Sequence, residues 1–250
     1  VVRYKYLIIG GGMTADAAVA GIKEIEPEGS IGLVSAERHP PYNRPPLSKG
    51  LWKGKPLEKI FRKASQEGVE TFLGRRIESL DLANNQAVDD QGETYTFEKL
   101  LLATGGLPIR LPFGGEEIIY FRTLDDYFRL HDLAGQGGRF AVIGGGFIGS
   151  EIACVLANIG REVVMVFPEE GIGARLFPKD LALFLNDYYR ERGIEVLAGE
   201  LVGGFEKRGD KSVLLLKSGA EIIADHVVAG IGILPNITLT QSAGISVENG

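Results

Sequence analysis

The segment FAVIGGGFIGSE, residues 140–151, places an apolar run directly before three consecutive glycines and a further glycine at position 149. The run predicts a buried parallel strand, and the apolar positions that follow at helical spacing predict a helix packed on that strand. A G-x-G-x-x-G turn between a strand and a helix is typical of dinucleotide-binding folds, in which the helix N-terminus faces a pyrophosphate. With a second strand expected at 163–167, the segment predicts a Rossmann-like βαβ unit.

The start of the chain has the same layout. An apolar run at 4–9 precedes GGGMTA at 10–15, a G-x-G-x-x-A pattern, and a second strand is expected at 31–35. In such a turn the first glycine provides the backbone conformation, the second lets the backbone approach a pyrophosphate, and the last small residue lets helix and strand pack closely. The candidate phosphate-binding residues are Gly10, Gly12, Met13, Thr14 and Ala15 in the first turn, and Gly144, Gly146, Phe147, Ile148 and Gly149 in the second.

Each unit also carries an acidic residue just past its second strand. Glu37 and Glu169 stand where a carboxylate accepts hydrogen bonds from a ribose. A carboxylate at 169 favours a 2′-hydroxyl over a 2′-phosphate, so NADH is the expected nicotinamide dinucleotide. Arg175 lies nearby in the sequence and is able to meet a 2′-phosphate, which leaves NADPH open.

The repeated layout predicts an α/β fold of two Rossmann-like three-layer dinucleotide-binding domains, each with a small antiparallel meander. We place the first domain at 1–113 and the second at 114–240, with 241–250 returning toward the first. A separate buried strand is expected at 100–103. The expected meander strands lie at 77–82, 87–88 and 94–97 in the first half, and at 196–197, 213–216 and 222–223 in the second.

Composition narrows the classes of partner. The 27 basic and 33 acidic residues give a net charge of −6, which provides no broad positive field for nucleic acid. No apolar run approaches the roughly 18 residues that span a bilayer, so no membrane span is expected. The three histidines lack metal-ligand spacing, and Cys154 is the only cysteine. We therefore expect neither a metal site nor an intrachain redox-active disulfide.

Four motifs together point to a family. PYNRPPLSK at 41–49, together with GGGFIGSE at 144–151, resembles the ferredoxin and rubredoxin reductase-like branch of the pyridine nucleotide-disulfide oxidoreductase superfamily. That branch includes monodehydroascorbate reductases and apoptosis-inducing factor. LATGG at 102–106 and GIGILPN at 230–236 match two further motifs of the superfamily, so the resemblance covers nearly the whole chain. It adds Gly230 and Gly232 to the candidate cofactor-binding residues.

The resemblance implies roles for particular residues. Lys49 is implied to lie close to flavin N5 and to pair with Glu151. In that arrangement a fixed ammonium stabilises electron density on a reduced flavin, and the carboxylate holds the ammonium in place. The remaining implied contacts are Arg44 near the FAD phosphates, the Ile77 backbone at the adenine, and Ala103, Thr104 and Gly105 along the FAD.

The resemblance implies an FAD-dependent NAD(P)H oxidoreductase that uses FAD and NADH. With a single cysteine, electrons are expected to leave the flavin directly. The expected acceptor is a small redox protein such as ferredoxin or rubredoxin, and a small molecule such as monodehydroascorbate stays open. A redox sensor with slow turnover, similar to apoptosis-inducing factor, is a further alternative.

Reductases of this branch complete their FAD site with a C-terminal Gly-Asp segment. Because the sequence ends at Gly250 before such a segment, we expect a fragment of a longer protein. We expect a cytoplasmic location, or an organelle matrix if a targeting segment was removed. A homodimer is left open.

Overall fold

The computed structural model describes residues 2–65 and 67–248. The strands in these residues are β1 (Val2–Ile9), β2 (Ile31–Ser35), β3 (Glu70–Leu73), β4 (Ile77–Asp81), β5 (Gln86–Asp89), β6 (Thr94–Leu102), β7 (Gly106–Pro108), β8 (Ile118–Tyr120), β9 (Arg139–Ile143), β10 (Glu162–Phe167), β11 (Ile194–Ala198), β12 (Val202–Arg208), β13 (Lys211–Leu216), β14 (Glu221–Ala224), β15 (His226–Ala229) and β16 (Ile233–Pro235). The α-helices are α1 (Met13–Ile25), α2 (Leu124–Gln136), α3 (Phe147–Asn158), α4 (Lys179–Arg190) and α5 (Thr238–Ser242). Short 3₁₀ turns lie at Pro45–Ser48, Leu51–Lys53, Leu57–Ile60 and Gly115–Glu117.

The chain divides into two compact units, each assembled from separate segments. The first takes in the described residues up to Arg44, then Pro56–Leu107, then those from Leu234 onward. The second consists of Pro45–Lys55 and Pro108–Ile233. The chain passes to the second unit after Leu107, whereas the sequence places this boundary at 113. Among the described residues, no helix is long and apolar enough to cross a membrane.

A six-stranded sheet forms the centre of the first unit, in the order β3-β2-β1-β6-β5-β4. β1 pairs in parallel with both β2 and β6, while β4, β5 and β6 pair antiparallel. Helix α1 covers one face, where Ala15 and Val19 pack with Ile8 and Leu33. On the other face Leu239 of α5 joins the buried core. The first predicted meander is therefore a continuation of the main sheet.

The second unit has a five-stranded parallel sheet, in the order β11-β10-β9-β15-β8, and a separate antiparallel sheet of β12, β13 and β14. Val164 and Val166 of β10 pack with Leu214 and Ile222 of the small sheet in one apolar core. By the alternation of a strand, Met165 points to the opposite face; it is fully buried, and α3 contacts its strand. These layers confirm the predicted α/β fold class.

One strand of the first unit is longer than the sequence predicts. Residues 94–97 and 100–103 do not form separate strands, because β6 runs without a break from Thr94 to Leu102. It pairs antiparallel with β5 near its start and in parallel with β1 along its length. The strand thus keeps β1 as a neighbour throughout and has β5 only near its start, where its buried residues alternate.

The predicted second meander is also partly wrong. Residues 196–197 lie in β11, which pairs in parallel with β10 at the edge of the main sheet. The first strand of the small sheet is β12 instead. Its sequence VGGFEKR contains two glycines and three charged residues, so the alternation typical of a strand is hidden.

A buried carboxylate organises the turn between β5 and β6. Asp89 is 2% exposed and accepts hydrogen bonds from Arg75 Nη1 at 2.9 Å and from the Tyr95 hydroxyl at 2.8 Å. The backbone N–H groups of Gln91 and Glu93 donate to it at 2.9 Å each. Burial by itself raises the pKa of Asp89, but the four donors outweigh it and hold the pKa below its usual value.

We expect Asp89→Asn to lower the free energy of unfolding at pH 7 by about 2 kcal/mol, because Arg75 and Tyr95 lose a charged acceptor. Since the folded-state pKa is depressed, the stabilisation is complete above the unfolded-state pKa and is lost as pH falls through the lower folded-state value. The difference in the free energy of unfolding between wild type and Asp89→Asn should therefore shrink below about pH 4. Urea unfolding from pH 7 to pH 3 measures it, with Asp90→Asn, the exposed neighbour, as control. A difference independent of pH would contradict this role.

Candidate functional site

The first glycine turn lies where β1 and β6 end side by side. Ala103 N–H donates to the Ile9 carbonyl at 2.8 Å, which joins the two strand ends. Gly10 has a φ of +125°, and a Cβ there would lie 2.1 Å from the Ala103 carbonyl oxygen. Only glycine fits this position. The strand order therefore brings the turn next to Ala103, Thr104 and Gly105, which are far from it in sequence.

The second turn has the same arrangement at the ends of β9 and β15. Gly230 N–H donates to the Ile143 carbonyl at 2.8 Å. Gly144 has a φ of +114°, and a Cβ there would lie 2.5 Å from the Gly230 carbonyl oxygen. Gly232 follows two residues later and borders the same cavity as the turn. The GIGILPN motif thus meets the glycine turn in space.

Both turns leave a helix N-terminus accessible. Gly12 and Gly146 occupy the N-cap positions of α1 and α3 in an extended conformation, and as glycines they have no side chain to accept from the first-turn N–H groups. A Cβ at either position would meet no atom within 4 Å. At Gly149, by contrast, a Cβ would lie 2.0 Å from the Gly144 carbonyl oxygen. The turn is therefore tightly packed at Gly149, whereas the backbone at Gly12 and Gly146 is open on the side of the helix N-terminus. Such an open N-terminus is suited to bind a pyrophosphate.

The first two residues after each N-cap glycine are exposed to solvent. Met13 and Thr14 are exposed at the start of α1, whereas Ala15 is buried against the sheet. At the start of α3, Phe147 and Ile148 are exposed and line the cavity of the second unit. The exposed pair in each helix is therefore placed to contact a ligand.

In the first unit the predicted ribose and phosphate residues pair with each other. Glu37, two residues past β2, accepts hydrogen bonds from Arg44 Nη2 at 2.5 Å and from the Tyr42 hydroxyl at 2.6 Å. Sequence reasoning missed Tyr42, although it lies beside Arg44 in the quoted motif. Ile77 begins β4 with its side chain in the core, opposite Asp89.

The second unit has an equivalent acid and arginine pair. Glu169 lies two residues past β10 and accepts hydrogen bonds from Arg175 Nε at 2.6 Å and Nη2 at 2.5 Å. The carboxylate is mostly buried, with 22% of its side chain exposed, whereas the Arg175 side chain is 77% exposed. Glu169 thus lines the cavity with a mostly buried side chain, and Arg175 has room to move in solvent.

Lys49 and Glu151 form an ion pair within the second unit. Lys49 Nζ lies 2.7 Å from Glu151 Oε2, and the same oxygen accepts a hydrogen bond from Ser48 Oγ at 2.6 Å. Ser48 is 3% exposed. Trp52 Nε1 donates to the Leu47 carbonyl at 2.7 Å. This bond stabilises the short turn that contains Ser48 and Lys49. The sequence gives no signal for Ser48, because its partner is 103 residues away.

A cavity of about 590 Å³ opens along the second glycine turn. Its lining is mainly apolar, and Glu169 and Arg175 lie at its edge with Gly230 and Gly232. This size and this mixture of apolar walls with few charged groups are typical of a small-molecule or cofactor site. All lining residues belong to the second unit.

The described residues hold one thiol and no metal-binding cluster. Cys154 is a free thiol on α3, and Asn158 Nδ2 lies 3.5 Å from its sulfur. Within residues 2–65 and 67–248, no group of histidine, cysteine and acidic side chains is arranged to hold a metal ion. The candidate chemistry therefore rests on the two turns and the Lys49–Glu151 pair.

Residues 4–250 match the family described as pyridine nucleotide-disulphide oxidoreductase. Monodehydroascorbate reductase 1 of Arabidopsis thaliana is 33% identical over 94% of this chain and 60% of its own length. The 5,5′-dehydrodivanillate O-demethylase ferredoxin reductase subunit of Sphingobium is 34% identical over 99% of this chain and 63% of its own. This chain therefore spans only about three fifths of these relatives.

A solved structure is also similar over the full chain. It is the covalent complex of putidaredoxin reductase with putidaredoxin, with a TM-score of 0.92 and 28% identity. The match covers 100% of this chain and 63% of that one.

We expect Gly149→Ala to lower the free energy of unfolding by about 2 kcal/mol, because its Cβ overlaps the Gly144 carbonyl oxygen and the turn has to shift. Gly146→Ala is the matched control. Its Cβ meets no atom, so the change in stability should stay within about 0.5 kcal/mol. Urea unfolding of both variants measures this, and equal stabilities would show that α3 does not pack closely behind the turn.

Proposed function

Because the chain belongs to the pyridine nucleotide-disulphide oxidoreductase family, we propose that it is the nucleotide-binding part of an FAD-dependent NAD(P)H reductase. The observation that carries the proposal is the pair of glycine turns, each at the end of a parallel strand and each with an uncapped helix N-terminus. Two such units require two dinucleotides, and a flavin with the nicotinamide that reduces it is the simplest pair. A bound FAD would accept a hydride from NADH and would supply its two electrons one at a time to two one-electron acceptors.

We assign FAD to residues 1–113. The first turn presents the α1 N-terminus to the pyrophosphate, and Glu37 accepts hydrogen bonds from the ribose. Arg44, which donates to Glu37 in the structure, would bind the same phosphates. The strand-end contact of Gly10 with Ala103 supports this assignment, because it places the Ala103, Thr104 and Gly105 backbone beside the turn.

NADH is assigned to residues 114–240. The second turn and the α3 N-terminus would hold the pyrophosphate, and the mainly apolar cavity beside them would receive the rest of the dinucleotide. Glu169 accepts hydrogen bonds from the ribose hydroxyls. Its mostly buried carboxylate supports a preference for NADH over NADPH.

Lys49 and Glu151 are the proposed catalytic pair. The ammonium of Lys49 stabilises negative charge that develops on the flavin, and Glu151 holds this ammonium in one position. Ser48 donates to the same carboxylate oxygen, so it restricts the rotation of Glu151. A carboxylate that is three quarters buried is costly without a cation, and the pair removes that cost.

The proposed acceptor is a small iron–sulfur protein. Similarity over the whole chain to a reductase solved in complex with putidaredoxin supports it, as does the likeness to a ferredoxin reductase subunit. Monodehydroascorbate is the second candidate, because the plant reductase is equally similar in sequence. With one cysteine in these residues, the electrons leave without an intrachain dithiol.

Anaerobic mixing of the full-length protein with NADH separates these acceptors. After flavin reduction, rapid reoxidation by ferredoxin but not by enzymatically generated monodehydroascorbate supports the first candidate, and the reverse result supports the second. A reduced flavin that persists with both acceptors indicates a redox sensor. No flavin reduction by NADH or NADPH would overturn the proposed function.

Lys49→Met is expected to slow flavin reduction by about ten- to a thousandfold, the usual effect of losing one charge-stabilising group. Stopped-flow absorbance of the full-length protein with NADH measures the rate. Lys53→Met, an exposed lysine four residues away, is the matched control and should leave the rate unchanged. Reduction of the Lys49→Met flavin at the wild-type rate would return Lys49 to an ordinary surface lysine.

The wild-type protein should have a higher kcat/KM for NADH than for NADPH. Glu169→Ala should reduce this preference by about tenfold, because a ribose-binding carboxylate is lost while Arg175 is released toward a 2′-phosphate. Glu170→Ala removes the neighbouring carboxylate, which pairs with Lys179, and should leave the preference unchanged. A wild-type preference for NADPH would show that Arg175 decides the specificity.

A further inference from the structure

The buried face of α4 packs against the loop that follows β10. Ala182 and Asn186 are the buried residues of this helix, and they lie one helical turn apart on the same side. A Cβ on Gly171 of the loop would lie 2.6 Å from the Ala182 carbonyl oxygen, so loop and helix backbones are in direct contact. The buried side of α4 thus contacts this loop as well as β11.

Asn186 fixes this loop by hydrogen bonds at both ends of its amide. Its Oδ1 accepts from Ile172 N–H at 3.0 Å, and its Nδ2 donates to the Glu170 carbonyl at 2.8 Å. Asn186 is 4% exposed and Ile172 is 2% exposed. Burying an amide is costly unless its donor and acceptor are both used. Here both are used on one three-residue stretch of backbone.

The same loop is attached on its other side to the glycine turn. Gly173 N–H donates to the Gly145 carbonyl at 2.8 Å. Glu169 is fixed as well, because its carbonyl accepts from Gly199 N–H at 2.9 Å. The loop is therefore held between α4 and the turn, and the backbone of Glu169 is bound to the residue that follows β11.

We infer that Asn186 is a positioning residue for the nicotinamide dinucleotide. It keeps the loop ordered before the dinucleotide binds, with Glu169 placed for the ribose and the second glycine turn placed for the pyrophosphate. Binding then does not have to pay the entropy of ordering the loop. This inference rests on the proposed function, since it names a residue that tunes the same site. Asn186 lies behind the loop and does not line the cavity.

Asn186→Leu and Asn186→Ala of the full-length protein test this role. Both leave Ile172 N–H and the Glu170 carbonyl without the amide. We expect hydrogen exchange of the 170–174 amides to accelerate by about tenfold. The apparent Kd for NADH in flavin reduction should rise by about tenfold. The limiting rate at saturating NADH should stay within about twofold of wild type, since the reacting groups are unchanged.

Ile222→Val, a mild core change in the small antiparallel sheet of the same unit, is the matched control. It lowers stability without touching the loop, so it should leave both the exchange of 170–174 and the NADH affinity unchanged. Wild-type exchange in the loop, or wild-type NADH affinity, in both Asn186 variants would overturn the inference. If the wild-type protein itself does not bind NADH, the proposed function fails, and this role fails with it.

Discussion

Both units depend on a backbone contact between a glycine and the carbonyl group that ends a neighbouring strand. At Gly10 and at Gly144 the added Cβ would lie 2.1 Å and 2.5 Å from such a carbonyl oxygen. A side chain at either position would push the strand ends apart and turn the following helix away from the sheet edge. The contact therefore fixes where each helix N-terminus points, and the charged residues of the site are arranged around that point.

The two units use the same arrangement of charge with different consequences. Glu37 and Glu169 each stand two residues past the second strand, and each pairs with an arginine. Arg44 is mostly buried and contacts Tyr42 as well, whereas Arg175 is mostly exposed. An exposed arginine leaves its partner at little cost, because its charge is already solvated. The first pair is a fixed part of its unit, and the second is adjustable.

The features that the sequence predicts well are those determined by neighbouring residues. Glycine turns, their flanking strands and the family motifs are local patterns, and the family resemblance is confirmed. Predictions fail where the structure depends on pairing between strands that are distant in sequence. β6 pairs in parallel with β1 on one side and antiparallel with β5 on the other, and β11 joins the main sheet through β10. Ser48 and Asn186 have no local signal, because the partners that explain their burial are side-chain and backbone groups brought near only by folding.

In each unit a buried polar side chain on a helix holds the segment that follows the second strand. In the first unit Asp16 of α1 is 3% exposed, accepts from Arg62 Nε at 2.8 Å, and accepts from Ser65 at 3.0 Å. In the second unit Asn186 of α4 holds the loop after β10 by its hydrogen bonds with Ile172 and Glu170. Both segments are largely irregular, and a buried side chain adds to the scattered backbone hydrogen bonds that hold them. The carboxylate of Asp16 suits the first segment, because that segment contains an arginine with which it forms an ion pair. The neutral amide of Asn186 suits the second loop, because it binds one backbone N–H and one backbone carbonyl without adding a charge near Glu169.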